Sequence, residues 1–147
     1  MDRVKKAIDN FQNGYNCSQA VVGAYCDLFG LKEEAGRRGD EAFGGGMGRL
    51  RLTCGAVSGM FMLAGLRFSK GEAKDLQTRQ QIYEMVQFLA KEFEEKNGSI
   101  ICAELLGLNC PKDGGATPTK RDTAFYKKRP CVGCVEDCAR LVETYLL

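Results

Sequence analysis

The stretch Cys54-Gly55-Ala56-Val57-Ser58-Gly59-Met60-Phe61-Met62-Leu63-Ala64-Gly65-Leu66 is almost wholly apolar. A helix that is apolar all round has to be buried, and this run falls short of the roughly 20 residues that cross a bilayer. It therefore predicts a central helix that other helices surround. Gly55 and Gly59 lie about one turn apart on it, and small residues at that spacing let a neighbouring backbone come close.

The flanking segments supply the surrounding helices. Upstream, Val4, Ala7, Ile8 and Phe11 recur at intervals of three and four, which predicts an amphipathic helix ending at Asn13-Gly14. A second helix is expected over 17–29, with Ala20, Val21, Ala24 and Leu28 apolar and Gly30 as its stop. A short polar helix over 33–42 precedes Gly44-Gly45-Gly46-Met47-Gly48, which breaks the pattern. Downstream, Ile82, Met85, Val86, Leu89 and Phe93 form the stripe of the longest helix, over 72–96. A short helix through Cys102, Leu105 and Leu106 should stop at Gly107. Residues 109–129 contain Gly114-Gly115 and Pro118 without periodicity, so a long loop is expected, a length more often functional than not. The last helix starts at Cys131 and carries Cys134, Val135, Cys138, Leu141, Val142 and Tyr145 on one face. With no alternating segment to read as a strand, the chain is expected to be all-α, a single-domain helical bundle of about five to seven helices.

Composition narrows the function. At 147 residues the chain can bury a core without disulfides. Its 21 basic and 19 acidic side chains give a formal charge of +2 with no basic stripe, so nucleic acid is not the expected partner. The start, Met1-Asp2-Arg3-Val4-Lys5-Lys6, leads straight into the first amphipathic pattern, and neither a signal peptide nor membrane insertion is expected. A cytoplasmic location follows as an expectation. There thiols stay reduced, and the eight cysteines point to metal, cluster or redox roles rather than structural disulfides. The chain has no histidine, which removes His-ligated haem or zinc, Cys-His nucleophile pairs and His general bases.

Four of the cysteines fall at signals for a helix start. Asn16, with Gln19 three residues on, reads as a capping box that makes Cys17 the first helical residue. Thr53 is placed to cap for Cys54, and Ser99 to cap a helix in which Cys102 is third. Pro130 suits a first helical position, which would make Cys131 the second. Exposed amides and the positive end of the helix dipole favour a thiolate at such places.

The other cysteines and the glycine run each carry two readings. Cys26 fits core packing as a small hydrophobe. Cys134 and Cys138 share a helical stripe with Cys131, which suits burial; alternatively Cys131 and Cys134 form a redox dithiol, or Cys131, Cys134 and Cys138 join Cys110 as four cluster ligands. The glycines before Cys54 form either a free connection between helices or a loop whose amides, at Gly45 and Gly46, face an anion or cluster sulfurs. Lys127, Lys128 and Arg129 are placed to favour a Cys131 thiolate, although a charge run is usually a solvated face.

Phe43-Gly44-Gly45-Gly46-Met47-Gly48, Cys54-Gly55-Ala56-Val57-Ser58-Gly59, Asn16-Cys17-Ser18-Gln19-Ala20-Val21, Cys102-Ala103-Glu104-Leu105-Leu106-Gly107 and Cys131 together resemble the small bacterial and archaeal C_GCAxxG_C_C proteins. The resemblance runs in order through most of the chain. It implies a redox-active protein defined by four cysteines, which map onto Cys17, Cys54, Cys102 and Cys131. A related domain in split-Soret cytochromes is associated with an iron–sulfur centre, but the haem-binding Cys-x-x-Cys-His has no counterpart here.

Three functions are consistent with these residues. In the first, Cys17, Cys54, Cys102 and Cys131 are thiolate ligands of an iron–sulfur cluster serving electron transfer or sensing, or of a structural zinc ion. In the second, no cofactor is bound and pairs of these thiols cycle through disulfides, with Cys54 attacking and Cys131 or Cys17 resolving. The third is a binding or scaffold module, with a homodimer as one form of it, in which the cysteines are core residues and the loop over 109–129 recognises a partner. Expected partners of the redox forms are a redox protein or a small thiol or oxidant. Whether the chain turns over a substrate is left open by the residues.

Overall fold

The computed structural model describes residues 2–107, 116–118, 121 and 130–147. Among them seven α-helices form around one buried cluster, and there is no strand. Helix α1 (Arg3–Gln12) starts where the Asp2 carboxylate accepts from the Lys5 amide, and buries Val4, Ala7 and Phe11. Helix α2 (Cys17–Tyr25) carries the expected capping box: Asn16 accepts from the Gln19 amide at 3.0 Å, and Gln19 accepts from the Asn16 amide at 3.1 Å. The turn expected to extend α2 tightens instead into a 3₁₀ segment, Cys26–Phe29, which Gly30 closes at φ 85°. Helix α3 (Glu33–Asp40) likewise ends early, in a 3₁₀ turn at Glu41–Phe43.

The apolar run is helix α4 (Gly55–Phe68), and it packs on α2, on α5 (Leu76–Asn97) and on α7 (Cys131–Tyr145). Its two glycines act as their spacing predicts. A Cβ at Gly59 would come 3.0 Å from the Ser18 carbonyl oxygen, and one at Gly55 would come 3.0 Å from that of Phe43 and 3.3 Å from the Ser18 amide nitrogen. The start of α2 thus lies backbone-close to the start of α4. Helix α5 starts at its Asp75 cap, later than residue 72, and buries only Leu89 and Phe93 of its stripe.

Helix α7 closes the core with Val135, Cys138, Ala139 and Val142. Tyr25 of α2 ties it down, because its buried hydroxyl donates to the Ala139 carbonyl at 3.3 Å and to Glu143 Oε1 at 3.1 Å. Each large apolar side chain buried here contributes about 1.5–3 kcal/mol relative to exposure. Helix α6 (Cys102–Leu106) is held by backbone bonds: its Cys102 amide donates to the Leu52 carbonyl at 2.6 Å, and the Cys54 amide donates to Ile100 at 2.7 Å. Among the described residues no helix is long and apolar enough to cross a membrane.

One buried group opposes this packing. Asp40 is fully buried, and neither carboxylate oxygen has a hydrogen-bond partner. Burial pushes its pKa up to about 6, and the nearby Ser18 hydroxyl offsets only part of that effect. A carboxyl whose folded pKa exceeds its ordinary value loses stability as pH rises towards that folded value, and the penalty is complete above it. Asp40→Asn is therefore expected to raise stability by about 1–3 kcal/mol near pH 8 and to change it little near pH 4. Denaturant unfolding of both proteins at the two pH values checks this.

Candidate thiol site

The four helix-start cysteines lie at helix starts, with local corrections. Cys17 opens α2 as expected. Cys54 is itself the N-cap of α4, because Thr53 is occupied in an antiparallel bridge with Ile101. Cys102 is the first residue of α6 rather than the third; Ser99 accepts from the Ile101 amide at 2.9 Å and so turns the chain before the helix starts. Pro130 is the N-cap of α7, which makes Cys131 the first residue rather than the second.

The glycine segment sets how these ends meet. Gly45, Gly46 and Gly48 have positive φ, and so do Met47, Arg49 and Arg51 at 69°, 65° and 62°. The left-handed region costs a residue with a side chain roughly 1–2 kcal/mol, so surrounding contacts must hold it. Backbone bonds from Arg49 to Gly44, from Arg51 to Gly45 and from Leu52 to Gly46 do so, at 3.1, 3.2 and 2.9 Å. A Cβ at Gly46 would come 2.5 Å from the Cys102 Cβ and 2.9 Å from the Arg51 Cα. Only a residue without a side chain lets the segment pass beneath α6.

Around this segment lies a cavity of about 410 Å³. Cys17, Cys54, Cys102, Cys131 and Cys134 all line it, with Gly45, Gly46, Arg49, Arg51 and Arg121. The thiols are arranged as two neighbouring pairs on different helices. Cys17 lies beside Cys131, and Cys54 beside Cys134, and the two thiols of each pair interact electrostatically. The Arg51 guanidinium donates from Nη1 to Cys102 Sγ at 3.6 Å. Among the described residues no cysteine is in a disulfide.

Their acidities diverge. The neighbouring Cys134 thiol holds the Cys54 pKa below the usual thiol value, against burial, and the amides of Val57 and Ala56 add to this. Those amides make no cap bond of ordinary geometry to the side chain, so their effect is that of nearby dipoles at the helix start. Cys134 is raised by the same interaction and then by burial. The Cys131 thiol beside it, followed by burial, pushes Cys17 well up. Burial raises Cys102, and Arg51 pulls part of that back.

The remaining expected positions fall elsewhere. Cys26 is in the core with its thiol directed at the Lys32 carbonyl at 3.8 Å, in agreement with a packing role. Cys138 is fully buried in the core and does not line the cavity. Cys131 and Cys134 both line the cavity, and Cys134 interacts most strongly with Cys54, and Cys17 with Cys131. Cys110, Lys127, Lys128, Arg129 and most of the expected loop at 109–129 lie outside the described residues. Sequence reasoning missed Arg51 and the pairing of Cys54 with Cys134. The available signal for Arg51 was its place between the glycine run and Cys54.

The family model described as "Putative redox-active protein (C_GCAxxG_C_C)" matches residues 15–145. The chain belongs to this family. No curated protein and no solved structure matches it. The matched region of this C_GCAxxG_C_C protein contains every described residue of the cavity apart from Gly14.

A single zinc ion needs sulfur ligands that converge to about 2.3 Å from one point. Among the described residues no three or more His, Cys, Asp or Glu side chains are placed to hold one ion. Thiols reach the cavity from four helices, and Arg49, Arg51 and Arg121 line it with them.

Gly46→Ala is expected to destabilise the protein by about 2–4 kcal/mol, because the clash falls on backbone and Cβ atoms that cannot yield cheaply. Gly14→Ala, at a positive-φ position with open space around it, should cost only the backbone strain. Comparing the two by thermal unfolding separates the clash from loss of glycine's conformational freedom.

Proposed function

We propose that this chain is a thiol-based redox protein in which Cys54 is the attacking thiolate and Cys134 the resolving thiol. The observation that carries this reading is the pair itself: Cys54 at the start of one helix and Cys134 on another line the same cavity, and the neighbouring Cys134 thiol eases Cys54 towards its thiolate. The thiolate is the nucleophile in exchange, and a neighbouring thiol within bridging reach completes it.

The reaction balances without a cofactor. Cys54 thiolate attacks one sulfur of an oxidised disulfide partner, forming a mixed disulfide and expelling the other sulfur as a thiolate. Cys134 then gives up its proton and attacks the Cys54 sulfur. The second half of the partner leaves, and the Cys134 proton neutralises a departing thiolate. Two electrons pass to the partner, and Cys54 and Cys134 become a disulfide. Cys17 and Cys131 form a second dithiol placed to take over that oxidation by exchange.

The number of thiols around one cavity favours a second reading, an iron–sulfur cluster held by Cys17, Cys54, Cys102 and Cys131. Such a cluster would supply one-electron transfer. Arg51 would then donate to the Cys102 sulfur, as hydrogen bonds to cluster thiolates do when they raise a potential.

Alkylation of the anaerobically reduced protein by iodoacetamide distinguishes these readings. The rate should rise with pH to a midpoint below the ordinary thiol value of about 8.5, and Cys54→Ser should abolish this fast phase. Cys134→Ala removes that neighbouring thiol and should shift the midpoint upward. Mild oxidation should then yield a Cys54–Cys134 linked peptide by mass mapping. Protein that keeps all its thiols under that oxidation and contains iron and sulfide supports the cluster instead. Retention of every thiol with neither iron nor sulfide overturns both.

A further inference from the structure

The cavity contains a cation, Arg51, that has no anionic partner among the described residues. Arg51 is 3% exposed, lines the cavity, and uses Nη1 on Cys102, while its buried Nε has no hydrogen bond. No carboxylate among the described residues forms an ion pair with it. A buried guanidinium without a counter-charge is costly, and an anion brought beside it removes much of that cost.

Other observations point the same way. Arg51 adopts left-handed backbone geometry at φ 62°, held by its amide on Gly45 at 3.2 Å and by its carbonyl accepting from Ala103 at 3.2 Å. The fold thus fixes this side chain's origin between the glycine segment and α6, in a conformation an arginine does not favour. Arg49 and Arg121 also line the cavity, and Glu41 is the one acidic residue among its described lining. The cavity's volume of about 410 Å³ lies within the range of small-molecule sites. Cys54 is only 6% exposed and Cys134 only 3% exposed, which suits a molecule that enters the cavity better than a disulfide on a protein surface.

We propose that the cavity binds a small anionic disulfide, one carrying carboxylates, with Arg51 as the anchor that sets the disulfide against Cys54. This rests on the thiol–disulfide reading above and specifies its substrate class. Cys54 thiolate displaces one carboxylate-bearing half as a thiolate, and Cys134 displaces the other while its proton passes to the departing sulfur. The substrate is reduced by two electrons, and the Cys54–Cys134 pair is oxidised by two. Arg51 is a positioning residue: it acts on the carboxylate and exchanges no electron.

Three disulfides of similar size and different charge test the proposal: dithiodiglycolate, which is anionic; 2-hydroxyethyl disulfide, which is neutral; and cystamine, which is cationic. Each is mixed with pre-reduced full-length protein, and the single-turnover rate of disulfide formation is followed. A free thiolate in water reacts more slowly with an anionic disulfide than with a cationic one, because like charges repel. The protein is expected to invert that order, with the anion at least about tenfold faster than the neutral compound. Inorganic sulfate should slow the anion selectively. Arg51→Lys should keep part of the preference, and Arg51→Gln should bring the ratio of anion to neutral rates close to one. The wild-type sulfate competition keeps the test decisive should Arg51→Gln fail to fold. Equal rates for the three compounds, or a faster cation, overturn the anion site while leaving the thiol reading intact. Faster reaction with a protein disulfide than with any of the three also overturns it, in favour of a protein partner. Failure of all four oxidants to react overturns the underlying thiol reading.

Discussion

The site depends on one steric constraint, the backbone-close contact between the starts of α2 and α4. Gly59 and Gly55 admit the Ser18 backbone to 3.0 and 3.3 Å of where a Cβ would sit, closer than side chains ordinarily allow. That contact brings Cys17, at the first residue of α2, towards Cys54, at the cap of α4. A second close approach, Gly46 beneath the Cys102 Cβ, adds the start of α6. Glycine contributes here through the volume it lacks, and two such contacts suffice to bring three helix starts to one cavity.

Gathering thiols in this way has an electrostatic consequence. Thiols buried together resist ionising, since each thiolate would be poorly solvated and would repel the next. The structure divides the burden unequally. Within the Cys54–Cys134 pair, the interaction eases Cys54 towards the thiolate, and together with burial it holds Cys134 protonated. Such a division suits sequential exchange, in which one sulfur must attack first and the second must wait.

The arginines complete the environment. Arg51 reaches Cys102 from a backbone conformation that its own side chain disfavours, and the glycine segment and α6 hold it there through main-chain bonds. A chain selected only for stability would place glycine or asparagine at such a φ. The strained residues and the buried cation lie at the same place as the thiols, where strain is most easily understood as part of function.

Much of this was legible in the sequence. The apolar run identified α4, the spacing of Gly55 and Gly59 identified its close neighbour contact, and Asn16 with Gln19 identified the start of α2, because each signal acts over a few residues. Cap positions at Cys54 and Cys102 were read slightly wrongly, since a backbone bridge between Thr53 and Ile101 overrides the local side-chain caps. The sequence by itself determined the helices, the helix-start setting of Cys17, Cys54, Cys102 and Cys131, and the family they mark. Only the tertiary structure decided that Cys54 lies beside Cys134, that Cys131 lies beside Cys17, and that Arg51 lies next to them with no carboxylate partner among the described residues. Helical periodicity fixes which face a residue occupies, whereas the partner across a cavity depends on how distant helices cross, and no local pattern encodes that.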